Sequence, residues 1–140
     1  MRLNSSLLVA CAGLLLAALP LAGHHAFAAE FDTNKPVKLR GAVTKIEWVN
    51  PHSWLYIDVK GEDGKVVNWQ FELGAPGAML RQGWKKDSIP VGLEVEISGF
   101  RAKSGENVAN GRSVTLPDGR ELFSGGSGPG STAPAPGAKQ

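Results

Sequence analysis

Sulfur is nearly absent from this chain. One cysteine, Cys11, and two methionines, Met1 and Met79, are all that 140 residues contain. Cys11 lies inside an apolar N-terminal stretch, so a chain that has lost that stretch carries no thiol. Disulfides, cysteine-ligated zinc, iron–sulfur clusters, thiolate copper sites and cysteine nucleophiles are excluded together. With Met79 the only remaining thioether, a soft Cu(I) site is disfavoured as well.

An excess of one charge is also missing. Fifteen Lys and Arg stand against 13 Asp and Glu, and loss of a leader containing Arg2 leaves 14 against 13. That balance gives no electrostatic reason to expect nucleic acid or an anionic membrane as partner. There is no nucleophile elbow, no phosphate-cradling glycine loop and no His-Glu-x-x-His helix. Catalysis without a metal therefore has little in the sequence to stand on.

Long hydrophobic runs are limited to one. Leu7 to Leu19 is apolar and uncharged, follows Met1-Arg2, and is succeeded by Pro20 and small residues. It is too short to span a hydrocarbon layer of ~30 Å as a mature helix, so it reads as a signal peptide and no transmembrane segment is expected after its removal. Leu8-Val9-Ala10-Cys11 resembles a lipoprotein box, but the apolar run continues well past it, which argues against lipidation. Two cleavage sites compete. A cut after Ala28 uses the small-x-small motif Ala26-Phe27-Ala28, which local chemistry favours; a cut after Gly23, with Leu21 three residues before the scissile bond, leaves His24 first.

What is present reads as strand. Val37 to Val43 alternates apolar and polar and continues to Trp48; Asn50-Pro51 breaks the run, and Trp54 to Val59 is dense in aromatic and β-branched residues. Glu62-Asp63-Gly64-Lys65 is a hairpin turn, and Val67, Trp69, Phe71 and Leu73 alternate with polar residues. Pro76 to Trp84 is the one predicted helix, with Pro76 in its first turn. Leu93 to Ile97, Val108 to Leu116 and a short Arg120 to Phe123 segment complete the strands. Three strands, a helix and two strands is the order of a mainly β, small OB-like five-stranded antiparallel barrel with one short helix, with an open five-stranded sheet carrying one helix as the rival arrangement. Gly41 suits the bend such a barrel needs in its first strand. The predicted organisation is a signal peptide over 1–23 (alternatively ending at 28), an N-terminal arm over 24–36 and the barrel over 37–123. A Gly/Ser/Pro/Ala tail over 124–140 is too poor in apolar residues to order itself.

Only three histidines occur, at two places. His24 and His25 are adjacent at the end of the leader, and His52 sits in Trp48-Val49-Asn50-Pro51-His52-Ser53-Trp54. An N-terminal His24 would offer its α-amine and ring Nδ1 as a chelate, and His52 a third nitrogen; neutral imidazole suits copper, zinc and nickel, and this pattern suits copper best. His25, Glu30 and Asp32 are spare donors. The bland readings are a polar leader border for the pair and a backbone-bonded turn residue for His52. A second candidate surface follows if the first two strands pair about the Asn50-Pro51-His52 turn. Trp48 then faces Trp54, Ile46 faces Tyr56, and Trp48, Asn50, Trp54 and Tyr56 gather near His52 as a ligand or partner surface. The acids Glu47, Asp58, Glu72, Glu94 and Glu96 read as solvated faces.

The stretch His24-His25-Ala26-Phe27-Ala28-Ala29-Glu30-Phe31-Asp32, the run from Pro36-Val37 through Glu47-Trp48 to Asn50-Pro51-His52, Glu72-Leu73-Gly74, Arg81-x-Gly83-Trp84 and Asp118-Gly119-Arg120 carry a resemblance. The chain resembles the exported bacterial proteins grouped as domain of unknown function 6152. The resemblance implies a cell-envelope protein, periplasmic or secreted, and cleavage before His24; it implies no activity. The expected function is a small exported binding module, with copper the most concrete cofactor and an envelope protein or small ligand as partner. An interaction domain built on the tryptophan surface is the first alternative, and a copper-dependent oxidase-like enzyme the second.

Overall fold

A computed structural model describes residues 26–134. Six strands are present: β1 (Phe31–Glu47), β2 (Trp54–Lys60), β3 (Val66–Glu72), β4 (Glu94–Ala102), β5 (Val108–Thr115) and β6 (Glu121–Phe123). Helix α1 (Pro76–Arg81) lies between β3 and β4, and residues 26–30 form a helical turn ahead of β1. Among the described residues no helix is long and apolar enough to cross a membrane.

The sheet order is β3-β2-β1-β4-β5-β6, and an additional β3–β5 pairing closes five strands into a ring. The OB-like expectation of three strands, a helix and two strands is what the fold shows. One detail differs: the closing pairs Gln70↔Val108, Phe71↔Ala109 and Glu72↔Asn110 are parallel, whereas every other pairing is antiparallel. With α1 and β4 between them, β3 and β5 run in the same direction. The ring can be built because β1 is long enough to serve two neighbours, pairing with β4 from Phe31 to Ala42 and with β2 from Ala42 to Glu47. Gly41 sits at that handover. A Cβ there would lie 2.3 Å from the Asp58 carbonyl oxygen, so the position needs glycine for close approach of β2.

Alternation sends Leu55 and Ile57 of β2, Phe71 of β3, and Val95 and Ile97 of β4 into the ring, all at 3% exposure or less. Helix α1 closes one end of this core with Met79, and the chain after it adds Trp84, whose Nε1 donates to the Phe123 carbonyl at 2.8 Å. Pro76 stands at the start of α1, and the helix ends at Arg81 rather than Trp84 because Gly83 takes a positive φ of 93°.

The chain ends depart from expectation. Strand β1 begins at Phe31, six residues before the predicted strand, so much of the expected arm is sheet. The Gly/Ser stretch expected as a flexible tail is held over 124–134 by its own backbone. Gly74 N donates to Ser124 O, Ser124 N to Arg112 O and Ala133 N to Gln82 Oε1, while Ser124 and Ser131 are buried. Peptide hydrogen bonds need no apolar side chains, and small residues let the backbone approach closely.

Candidate functional site

A second apolar cluster forms outside the ring. Phe27, Phe31 and Ala102 are buried together, with Phe100 and Val108 packed against them. The Phe27 ring lies 5.6 Å from Phe31, tilted, and 6.1 Å from Phe100, edge-on. The helical turn at residues 26–30 is thereby laid across the outer surface of the sheet. Lys103 fastens it from the β4–β5 loop, its backbone N donating to the Glu30 carbonyl at 2.8 Å and its Nζ to the Ala28 carbonyl.

Beside this turn, the β2–β3 ladder presents polar groups. Trp54 pairs with Glu72, and Leu55 with Phe71. The ladder continues into the loop: Ser53 N donates to Gly74 O and Leu73 N to Ser53 O. His52 is therefore two residues from Trp54 on the same outward face, diagonal to Glu72. Its Nδ1 is 3.1 Å from Glu72 Oε1. The His52 side chain remains 44% exposed and that of Glu72 only 10%. The reading of His52 as a backbone-bonded turn residue is thus replaced by a pairing with a carboxylate.

Glu72 is not on a solvated face. The outward side of β3 is covered here by the 26–30 turn and by β5, which brings Asn110 alongside. Burial pushes the Glu72 carboxyl above its ordinary value and the Glu30 charge adds to this, while His52 and a hydrogen bond from Asn110 act in the opposite sense. Asn110 itself is 2% exposed, and its Oδ1 has no hydrogen-bond partner.

These residues line a cleft of about 350 Å³ formed by Ala26, Phe27, Glu30, Phe31, His52, Trp54, Glu72 and Ser127. A second cleft of about 320 Å³ shares Glu30, Phe31, Trp54 and Glu72 with it and extends to Lys103, Ser104 and Val108. An orienting carboxylate, an imidazole and aromatic walls are therefore collected in one place. Nδ1 is the ring nitrogen beside the carboxylate, and Nε2 has no carboxylate oxygen within ion-pair distance among the described residues. No hydroxyl is hydrogen-bonded to His52 among the described residues, although Ser127 lines the same cleft.

The predicted residues separate. His24 and His25 lie outside the described residues, whereas Ala26, the next residue, lines the His52 cleft. Trp54 lines both clefts. The expected surface of Trp48, Asn50, Trp54 and Tyr56 is not formed, because the β1–β2 register differs by one residue. Glu47 faces Trp54, Lys45 faces Tyr56, and Ile46 faces the buried Leu55. Six residues, not five, connect the strands, and the ladder shifts between Val43 and Lys45. Trp48 instead packs edge-on to Trp84, 6.1 Å away, against the main core. Asn50 is exposed in the loop. The Tyr56 hydroxyl donates to Glu47 Oε2 at 2.8 Å, and Lys45 lies over the Tyr56 ring. Hydrogen bonds from Lys45 and then Tyr56 hold the Glu47 carboxyl below its usual range. Lys45, Glu47 and Tyr56 form a polar cluster that does not line the cleft, although Glu47 pairs directly with Trp54.

Sequence reading missed Glu72, Phe27 and Phe31 as cleft residues and Asn110 as the neighbour of Glu72. The acid alternating with Phe71 and Leu73 looks solvated in sequence; the 26–30 turn and β5 bury it. The spacing of Phe27 and Phe31 by four, just before a strand, was the one available signal for a docked turn.

Comparison with known proteins adds membership alone. No curated protein and no solved structure matches the chain significantly. The family model described as "Family of unknown function (DUF6152)" matches residues 11–111, most of the chain, with the His24–His25 pair, the His52 loop, Glu72 and Asn110 inside the matched span. The chain belongs to this family of unknown function, DUF6152.

Proposed function

We propose that this protein is an exported, periplasmic binding module that holds a copper-type metal ion at the His52 cleft, with His24 and His25 supplying the further nitrogen ligands. The observation that carries the reading is the His52–Glu72 pair. A buried carboxylate beside Nδ1 steadies the ring and leaves Nε2 as the ligating nitrogen, which is how metal-bound histidines are commonly supported. Ala26 lines the same cleft, so the chain leads directly from the histidine pair to His52.

Among the described residues no three His, Cys, Asp or Glu side chains gather closely enough to hold a metal ion. The donors that complete the set are therefore sought at His24 and His25. A His24 freed at its α-amine contributes two nitrogens, and an amine of ordinary pKa ~8 gives up its proton to a metal near neutrality. Aromatic walls from Trp54 and Phe31 limit water around such an ion. The export part of the reading rests on the apolar leader, and binding is preferred to catalysis because no hydroxyl is hydrogen-bonded to His52 among the described residues.

Titration of the mature protein with Cu(II), followed by EPR, tests this. One nitrogen-rich signal per chain is expected, abolished by His52→Ala and weakened roughly 10- to 100-fold in affinity by Glu72→Gln. Absence of a tight signal, or a signal that survives both His24→Ala and His52→Ala, overturns it.

A further inference from the structure

Two bonds near the leader's end compete as the place of cleavage, and the fold discriminates between them. The motif Ala26-Phe27-Ala28, which reads as a processing site in sequence, has structural employment in the folded domain. Phe27 is 8% exposed and stands between Phe31 and Phe100. The Ala28 carbonyl accepts from Lys103 Nζ. The far end of the domain is shaped around the same ring: a Cβ added at Gly128 would come within 3.0 Å of Phe27 Cε2 and 2.4 Å of Asn110 Oδ1. Three parts of the chain that are distant in sequence thus meet at Phe27: the N-terminal turn, β4 and the Gly/Ser segment.

From this convergence we infer that the leader is removed on the N-terminal side of Ala26, and that Phe27 is retained as the residue sealing the outer cluster. The inference rests on the export reading above and makes it more specific. Export processing precedes folding, so burial does not shield the Ala28–Ala29 bond; the fold decides which product is complete. A chain starting at Ala29 lacks the Phe27 ring and the Ala28 acceptor. It opens Phe31 and Phe100 to water and deletes one wall of the His52 cleft. A chain cut at Gly23–His24 keeps all of these. The reaction is hydrolysis by a membrane-bound leader endopeptidase. Water adds its oxygen to the Gly23 carbonyl carbon, the C–N bond breaks, the leader leaves with a carboxylate, and His24 acquires the proton and a free α-amine. The cut that keeps the fold whole is also the one that creates the chelating terminus.

The experiment is to express the full chain with its own leader in a bacterium, recover it from the periplasm and measure its intact mass. A mass beginning at His24, or at any residue up to Ala26, is expected. A mass beginning at Ala29 overturns the inference while leaving export standing; a chain that keeps Met1 and is never exported overturns the export reading itself. A second measurement compares chains started at His24 and at Ala29 by thermal melting. The shorter chain is expected to melt roughly 10 °C lower, as loss of a buried aromatic from a small domain should produce; equal melting temperatures would show that Phe27 seals nothing. Copper binding plays no part in either readout.

Discussion

The inside of the ring and its covered outer face bury aromatic side chains in different company. Inside, Leu55, Ile57, Phe71, Val95 and Ile97 meet one another across the ring, with Met79 and Trp84 at one end, and hardly a titratable atom intrudes. Outside, Phe27 and Phe31 lie near His52, Glu72, Glu30 and Asn110. Successive residues of β3 show the contrast: Phe71 points into the ring, and Glu72 points out of it yet is almost as well buried. Consecutive strand residues face opposite ways, so their difference in chemistry is ordinary. That both are buried is what requires a second cover, and the N-terminal turn with β5 and the Gly/Ser segment provides it. The core inside the ring is apolar; the covered outer face takes in polar groups as well.

Three experiments sharpen or break that contrast. The largest effect is expected inside: Phe71→Ala should cost about 3–5 kcal/mol in urea unfolding, since a fully buried ring in a closed core leaves a cavity that cannot collapse. Phe27→Ala should cost less, about 2 kcal/mol, because its cluster is smaller and reaches solvent; a loss equal to that of Phe71→Ala would erase the distinction between the two regions. Glu72→Gln should have the smallest effect at acid pH and a visible one in the pH profile. The folded carboxyl titrates above its ordinary value of 4.5, so the folded state holds its proton longer than the unfolded state does. Stability is then full below 4.5 and declines as pH rises through the raised folded value. Replacing Glu72 by Gln should flatten that decline, and an unchanged slope in melting temperature against pH would show that burial of the carboxyl has no energetic weight.

The interior was largely legible in the sequence because it is built from alternation. Val67, Trp69, Phe71 and Leu73 announced a half-buried strand, Asp63-Gly64 its hairpin, and Pro76 the start of a helix. The outer site was legible only in part. His52 stood out by rarity, but its partner Glu72 looked like any solvent-facing acid, since the residues that bury it lie some 40 positions away on either side. The β1–β2 register escaped for a different reason. Ile46 and Trp48 alternate with Lys45 and Glu47 under either alignment, so apolar pattern alone could not count the loop residues or foresee the irregularity between Val43 and Lys45. The tryptophan surface dissolved with that one-residue step.

The parallel seam between β3 and β5 has a consequence for how the site and the fold depend on each other. A bracelet is only as firm as its clasp, and this ring is clasped by three residue pairs, of which Glu72↔Asn110 is the last. The residue whose carboxylate lies beside His52 thus also supplies, through its backbone, the last pair that closes the ring. A cation brought to His52 and Glu72 would settle the charge sitting on the clasp, so occupancy should be felt along the seam as slower exchange of the Gln70 amide, which donates across it to the Asn107 carbonyl.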